Sequence, residues 1–382
     1  VNGLASTGAT ITFVLPRRLD CKSDSCKFIF ADHLSEQKVE FYPVNSILSP
    51  YAEPVSYKKY FLKIFSQEKT YLPYAGDLFS EVLRYADAVR GFVSKITFDV
   101  IHAHDWLSVP AAIMAKKISG KPLVFQIHAT EYDRCGKWGA NRDICFIERE
   151  GLRCADKVIA VSDYTKRMIV DHYGIDERKI QVVPNAVNQC DFNQKFDLEA
   201  IKKQGAKIVL FVGRLTFQKG PDYFLQAAKI ALECEPNTYF VISGSGDMQR
   251  RLICDAAQLG IADHVIFAGF LRDADLSRVY HMADVYVMPS VSDPFGLTAL
   301  EAMTCGTPVL VSRQTGVSEM LSHCLKVDFW DTREIAAKIV ALLRYPALGK
   351  TMSQNGSYEI NKFSWEDSAR KCLNIYQEVM SA

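Results

Sequence analysis

A chain of 382 residues, 48% of them hydrophobic and 23% charged, is long enough for two packed domains and too long for one ordinary core. Its 45 basic and 44 acidic side chains leave a formal charge of +1, which excludes a broad field for nucleic acid or an anionic membrane. No apolar run approaches the roughly 20 residues that span a bilayer. The eleven cysteines form no C-x-x-C pair and are odd in number, so they read as reduced thiols of a cytoplasmic protein. Cys21 and Cys26 could form a redox or metal pair, a surface loop being the simpler reading.

In chain order, "VNGLASTGATITFVLPRR" opens with no Met and no signal peptide. Val1 to Ala5 read as the tail of a helix, Gly8 as its stop and Thr10 to Leu15 as a buried strand. Such a start leads to the expectation that an earlier strand, loop and half-helix are missing. Further strands are predicted at Val39–Tyr42, Val100–Ala103, Pro122–Ile127, Val158–Val161 and Ile180–Val183. A second set falls at Lys207–Val212, Thr238–Ser243, Val265–Ala268, Val285–Met288 and Val309–Val311. Helix-sized segments separate them, which argues for parallel sheets built from right-handed βαβ units. The rhythm breaks at "VPNAVNQCDFNQKFDLEAIKKQGAK", so a domain boundary is expected near Cys190 to Gln204. Two doubly wound, Rossmann-like domains would face each other across a cleft at the carboxyl ends of both sheets.

Two stretches of the second half carry candidate chemistry. "SVSDPFGLTALEAM" runs from the end of a strand through a Pro-Phe-Gly turn into a buried helix. It has acids at Asp293 and Glu301. One reading is a capping box, with Thr298 as N-cap and Glu301 three residues on. The other is an anion site at the helix N-terminus, with a carboxylate on either side gripping hydroxyls. A phosphate flanked by two polyols describes a nucleotide sugar. "LFVGRLTFQKG" puts Arg214 and Lys219 just past a strand's carboxyl end, where two cations suit a diphosphate. Alone, they could equally be solvated loop cations.

Taken together, "VGRLTFQKG", "VISGSGDMQRRL", "VIFAGFL" and "PSVSDPFGLTALEAMTCGTPVL" resemble the nucleotide-sugar half of a retaining GT-B glycosyltransferase, of family 4 and the glycogen-synthase-like group. "FDVIHAHDWLSVPAA", "QIHATEYDR", "IEREGLRCADKVIAVSDYTK" and "IQVVPNAV" resemble the acceptor half of the same group. The resemblance covers nearly the whole chain. It implies a GT-B fold with an acceptor-side domain over residues 1–190 and a nucleotide-sugar-binding domain over 191–361. The final helix, about 362–382, would cross back onto the first domain.

The resemblance also implies roles. Arg214 and Lys219 would bind the donor diphosphate, with backbone amides near Leu297, Thr298 and Ala299. Glu301 would bind the ribose. Asp293, Phe295 and Gly296 would lie against the donor. Asp293 replaces the first Glu of the family's E-x7-E pattern and is one methylene shorter. His128 would stand beside the donor sugar, and Phe270, Leu271 and Arg272 against the base, with Gly244 near the donor. His104, Asp105 and Trp106 would lie on the acceptor side. The implied reaction is retaining transfer of a hexose, glucose first among the candidates, from a nucleotide diphosphate sugar to a glycan or other hydroxyl acceptor, with no cofactor and no metal. The alternatives are a non-catalytic nucleotide-sugar or glycan binder, and a GT-B nucleotide-sugar epimerase.

Three further patterns carry competing readings. His102 and His104 share one side of a strand, an arrangement that suits a metal site, but no third ligand stands out. Asp273 to Asp275 mimic a metal-binding D-x-D but open a predicted helix, which suits an N-cap and first-turn acids better. Tyr57, Tyr60, Phe61, Ile64 and Phe65 mark an amphipathic helix. It could pack on the core, offer an aromatic platform to a glycan, or lie on a membrane surface.

Overall fold

The computed structural model of the protein describes residues 4, 9–15, 39–43, 78–187, 202 and 205–381. Strands β1 (Ile11–Leu15) and β2 (Val39–Pro43) pair in parallel. Helix α1 (Leu78–Val93) follows, then β3 (Ile101–His104), α2 (Asp105–Ser119), β4 (Leu123–Ile127), α3 (Glu131–Gly139), α4 (Arg142–Cys154), β5 (Lys157–Ala160), α5 (Asp163–Tyr173) and β6 (Ile180–Val182). The last four strands form a parallel sheet in the order β3-β4-β5-β6. Helix α5 shows why such segments start and stop. Its N-cap Ser162 accepts from the Thr165 amide, and Gly174 at φ 67° closes the other end.

The second half holds β7 (Lys207–Val212), a 3-10 turn (Phe217–Lys219), α6 (Pro221–Cys234), β8 (Thr238–Ser243), α7 (Gln249–Gln258), β9 (Val265–Gly269), α8 (Asp273–Met282) and β10 (Val285–Met288). It continues with α9 (Leu297–Thr304), β11 (Val309–Ser312), α10 (Gly316–Met320), β12 (Leu325–Val327), α11 (Thr332–Arg344), α12 (Pro346–Ile360) and α13 (Trp365–Ser381). Its six strands are all parallel, in the order β12-β11-β10-β7-β8-β9. The strand order reverses between β7 and β10, which opens a crevice at their carboxyl ends. Along β7, Val209 and Phe211 face one core cluster while Ile208 and Leu210 face the other. A strand buried on both faces has no polar alternation, and that is why its apolar run was readable.

Helix α13 returns to the four-stranded sheet. Cys372, Ile375 and Tyr376 pack on Val124, Ile159 and Val183. Lys157 pairs with Glu378 at 2.6 Å, and Ser368 Oγ donates to the Pro184 carbonyl at 2.6 Å. The amphipathic pattern at Tyr57–Phe65, the Cys21/Cys26 pair and most of the segment from Cys190 to Gln204 lie outside the described residues. Cys305 is disulfide-bonded, which corrects the expectation of free thiols throughout. Strand β12 was not foreseen, being only three residues long with Lys326 at its centre.

Candidate functional site

The site is built from loops at the carboxyl ends of β7, β8 and β10. After β7, the Gly213 amide donates to the Ser243 carbonyl at 3.0 Å and the Leu215 amide to the Ser245 carbonyl at 2.9 Å. These bonds tie the loops after β7 and β8 together with Arg214 between the two anchor points. Gly244 sits at φ 141°, and a methyl on its Cα would stand 1.9 Å from the Gly213 carbonyl oxygen. Only glycine allows that approach. Arg214 is exposed, and its Nη2 donates to Gln218 Oε1 at 3.1 Å. Gln218 is buried, and its backbone carbonyl accepts from the Val291 amide at 3.0 Å. One residue therefore positions both Arg214 and the loop after β10.

That loop carries Asp293, which is 6% exposed. Its Oδ2 accepts from Lys219 Nζ at 2.6 Å and its Oδ1 from the Phe295 amide at 3.2 Å. Helix α9 begins directly after, with Gly296 as N-cap at φ 99°. The capping-box reading is thereby corrected. Thr298 lies inside the first turn, and its hydroxyl accepts from Tyr286 OH at 2.7 Å. Glu301 accepts from Tyr280 OH at 3.1 Å, and burial raises its pKa against the opposing effect of that bond. The first-turn amides of Leu297 and Thr298 open toward the loop end of the helix, where the backbone dipole is positive. Phe295 is buried at 3% exposure and packs in the core rather than standing open. Phe270 is exposed, with the Arg272 guanidinium 4.8 Å from its ring centroid, and Leu271 is half-buried beside it. Asp273 opens α8, with Arg272 rather than an acid as N-cap.

In the first half, His128 follows β4. Asp105, at φ 55°, turns its carboxylate back so that Oδ1 accepts the His128 amide at 2.8 Å. His104 Nδ1 and His128 Nε2 are 3.1 Å apart, so one ring nitrogen donates and the other accepts. His102 stacks on His104 at 4.3 Å and meets Tyr376 OH at 2.6 Å. Burial, and next the charge of His128, push the His102 pKa down to about 3. His104 is also held well below its ordinary value by desolvation and by the two neighbouring imidazoles, although part of the residue is open to solvent. The third histidine that the sequence did not single out for a metal is thus His128, and it meets His104 by a hydrogen bond. Among the described residues no group of three or more His, Cys, Asp or Glu could hold a metal ion. Trp106 is turned into the core, 5.7 Å from the Phe79 ring.

Behind His128 lies a buried acidic network that sequence reasoning missed. Glu148 accepts from the Glu131 amide at 3.0 Å, from Arg134 at 3.4 Å and from Tyr173 OH. Burial lifts its pKa to about 7, more than the Arg134 charge lowers it. Asp133 Oδ2 accepts from the Thr130 amide at 2.8 Å, and its Oδ1 accepts from Ser292 Oγ of the β10 loop at 2.7 Å. The motif "TEYDR" contains Asp133, but no local spacing announces a partner 159 positions away. Two cations, a buried carboxylate and a helix N-terminus at one crevice can neutralise an anion and hold a hydroxyl beside it.

Two parallel-sheet α/β domains with this crevice form a GT-B fold. The model of the family "Glycosyl transferases group 1" matches residues 193–358, and that of "Glycosyltransferase Family 4" matches residues 31–189. An uncharacterised glycosyltransferase of Methanocaldococcus jannaschii is 34% identical over 76% of this chain and 78% of its own length. Glycogen synthase of Mycobacterium tuberculosis is 30% identical over 73% of this chain and 68% of that protein. D-inositol 3-phosphate glycosyltransferase of Acidothermus cellulolyticus is 32% identical over 74% and 68%. Among solved structures, sucrose-phosphate synthase of Thermosynechococcus elongatus covers 99% of this chain and 91% of its own, with a TM-score of 0.74 at 22% identity. Anabaena HepE in complex with UDP and glucose covers 76% and 81%, with a TM-score of 0.65 at 19% identity. The chain belongs to glycosyltransferase family 4 and is a glycosyltransferase.

Proposed function

We propose that the protein transfers a hexose, with glucose the first candidate, from a nucleotide diphosphate sugar to a hydroxyl acceptor with retention of configuration. The observation that supports this most directly is the Lys219–Asp293 pair at 2.6 Å, at the crevice between β7 and β10 and beside Arg214. In this reading Arg214, Lys219 and the first-turn amides of α9 carry the diphosphate. They stabilise negative charge as the bond from the anomeric carbon to the phosphate oxygen breaks. Asp293 contacts the hexose, Glu301 the ribose, and Gly244 with the Phe270–Arg272 segment lies along the nucleoside. His128 stands on the opposite wall. The acceptor oxygen attacks the face that the diphosphate leaves and passes its proton to the departing phosphate. The protein's cations supply the charge that a metal would otherwise supply, so no metal is required. His104 and Asp105 shape the acceptor side through His128. A cytoplasmic location fits a donor made from nucleotide pools. Among the described residues, no helix is long and apolar enough to cross a membrane.

A donor screen tests the reading. The chain would meet UDP-glucose, ADP-glucose, GDP-mannose and UDP-N-acetylglucosamine, with and without maltooligosaccharide, with binding followed by calorimetry and release of nucleoside diphosphate by a coupled assay. Acceptor-dependent release establishes transfer and names the donor. Binding without release supports a nucleotide-sugar binder in place of a transferase with this acceptor. No binding to any donor removes the proposal.

A further inference from the structure

The loop that carries Asp293 is bonded to the other half of the molecule on both sides of that residue. On one side, Ser292 Oγ donates to Asp133 Oδ1 at 2.7 Å and lies 2.9 Å from Tyr164 OH. On the other, the Pro294 carbonyl accepts from Ser162 Oγ at 2.5 Å and from Thr165 Oγ1 at 3.2 Å. Ser162 and Thr165 are fully buried, and Asp133 is 2% and Ser292 9% exposed. A methyl on Gly316 would come within 2.2 Å of the Pro294 oxygen and 2.6 Å of Ser162, so the seam has no slack.

With Asp133 ionised, the polarity of the bonds around it follows from proton count. Asp133 accepts at both oxygens: Ser292 on Oδ1, and the Thr130 amide and hydroxyl on Oδ2 at 2.8 and 2.7 Å. Burial raises the Asp133 pKa, and the bonds from Thr130 and Ser292 oppose that shift; a carboxylate, which carries no proton, accommodates all three donors. The single Ser292 proton goes to Asp133, so Tyr164 OH donates to Ser292. Thr130 stands two residues after His128. A continuous path of bonds therefore runs from the His128 turn through Asp133 and Ser292 to Asp293.

We propose that Asp133 and Ser162 are positioning residues for the donor sugar, holding the backbone on either side of Asp293 so that its short carboxylate is placed only when the two halves are in contact. This rests on the reading of Asp293 as the hexose contact. It gives the shorter side chain a physical setting, since the loop is drawn toward the opposite wall by four hydrogen-bonding side chains. Asparagine at position 133 removes the charge and, with its amide nitrogen toward Ser292, reverses the polarity of that bond, so that Ser292 must donate to Tyr164 instead. Its amide nitrogen would face either the Thr130 donors or the Ser292 hydroxyl.

The test uses the full chain and its Asp133→Asn, Ser162→Ala and Asp293→Ala variants, singly and with the first two combined with the third. The probe is the tightest binder among UDP-glucose, ADP-glucose, GDP-mannose and UDP-N-acetylglucosamine, measured against its own nucleoside diphosphate. Asp133→Asn and Ser162→Ala should each weaken the nucleotide sugar by roughly tenfold, the order of one intramolecular hydrogen bond. Affinity for the nucleoside diphosphate should stay unchanged. The loss should vanish in the Asp293→Ala background, and amide exchange at Asp293 and Gly316 should quicken without ligand. Equal losses for sugar nucleotide and diphosphate, or losses that add to that of Asp293→Ala, would overturn the proposal. A loss at Asp293→Ala with none at Asp133→Asn and Ser162→Ala overturns it while leaving the hexose contact intact. If Asp293→Ala binds the probe as the parent does, or no probe binds, the reading of Asp293 fails, and the proposal fails with it.

Discussion

Replacing Gly244 by alanine would test how the nucleotide side of the crevice is held. The new methyl would stand 1.9 Å from the Gly213 oxygen and 2.9 Å from its carbonyl carbon. Ordinary contact begins at 3.4 Å, so the loops after β7 and β8 must part by about 1.5 Å. Overpacking of that kind costs about 1–3 kcal/mol, and a side chain at φ 141° adds about 1–3 kcal/mol. Parting the loops also stretches the bonds from Gly213 and Leu215 that flank Arg214. Gly244→Ala should therefore lose about 2–6 kcal/mol of stability in urea titration. Displacing Arg214 by that distance should cost up to about a hundredfold in turnover. An alanine variant with the parent's urea midpoint and the parent's affinity for nucleoside diphosphate would refute the reasoning, because the loops would then not be tied through this residue.

Lys219→Ala should leave a buried Asp293 carboxylate without its ion partner, lowering stability by about 2–4 kcal/mol in denaturant titration and lowering kcat more than acceptor affinity. Asp293→Glu puts back the residue more usual in the family, but the longer side chain must give up either Lys219 or the Phe295 amide. Turnover should fall, and a rise would show that the loop accommodates the extra methylene. Glu148 has a folded value near 7, above the 4.5 of a free carboxyl, so the folded protein keeps a proton that the unfolded chain releases. Its contribution to stability is full below about pH 4.5 and is lost as pH rises through about 7, a change on the order of 3 kcal/mol. Glu148→Gln should flatten that fall in urea midpoints taken from pH 4.5 to 8. Treatment with EDTA should leave transfer intact, since Arg214 and Lys219 supply the charge, and loss restored by magnesium would refute that assignment.

The strands were legible in the sequence for a physical reason. Parallel strands covered on both faces leave unbroken apolar runs, and Lys207–Val212, Thr238–Ser243 and Val285–Met288 stand where those runs fall. That Arg214, Lys219 and Asp293 would gather at one sheet edge was legible because strand ends, turns and charges coincide there, and Lys219 does meet Asp293 at 2.6 Å. The start of α9 was misread because Thr298 looks like a cap. Gly296 begins the helix earlier, and the Thr298 hydroxyl is taken by Tyr286 from a neighbouring strand. Gln218, Asp133 and Ser162 could not be found by local spacing. Each acts through a partner brought near only by the fold, as Ser162 does with Pro294, 132 positions away.

The return of helix α13 has a consequence for how the protein is made. Ser368 bonds to Pro184 across 184 positions, and Cys372, Ile375 and Tyr376 cover Val124, Ile159 and Val183. During synthesis one face of the four-stranded sheet stays uncovered while the entire second half is being translated. At about 5–20 residues per second that interval is roughly 10–40 s. The earlier-made half is thus the later one to be completed, and for that time its apolar face is exposed to chaperones or to other nascent chains.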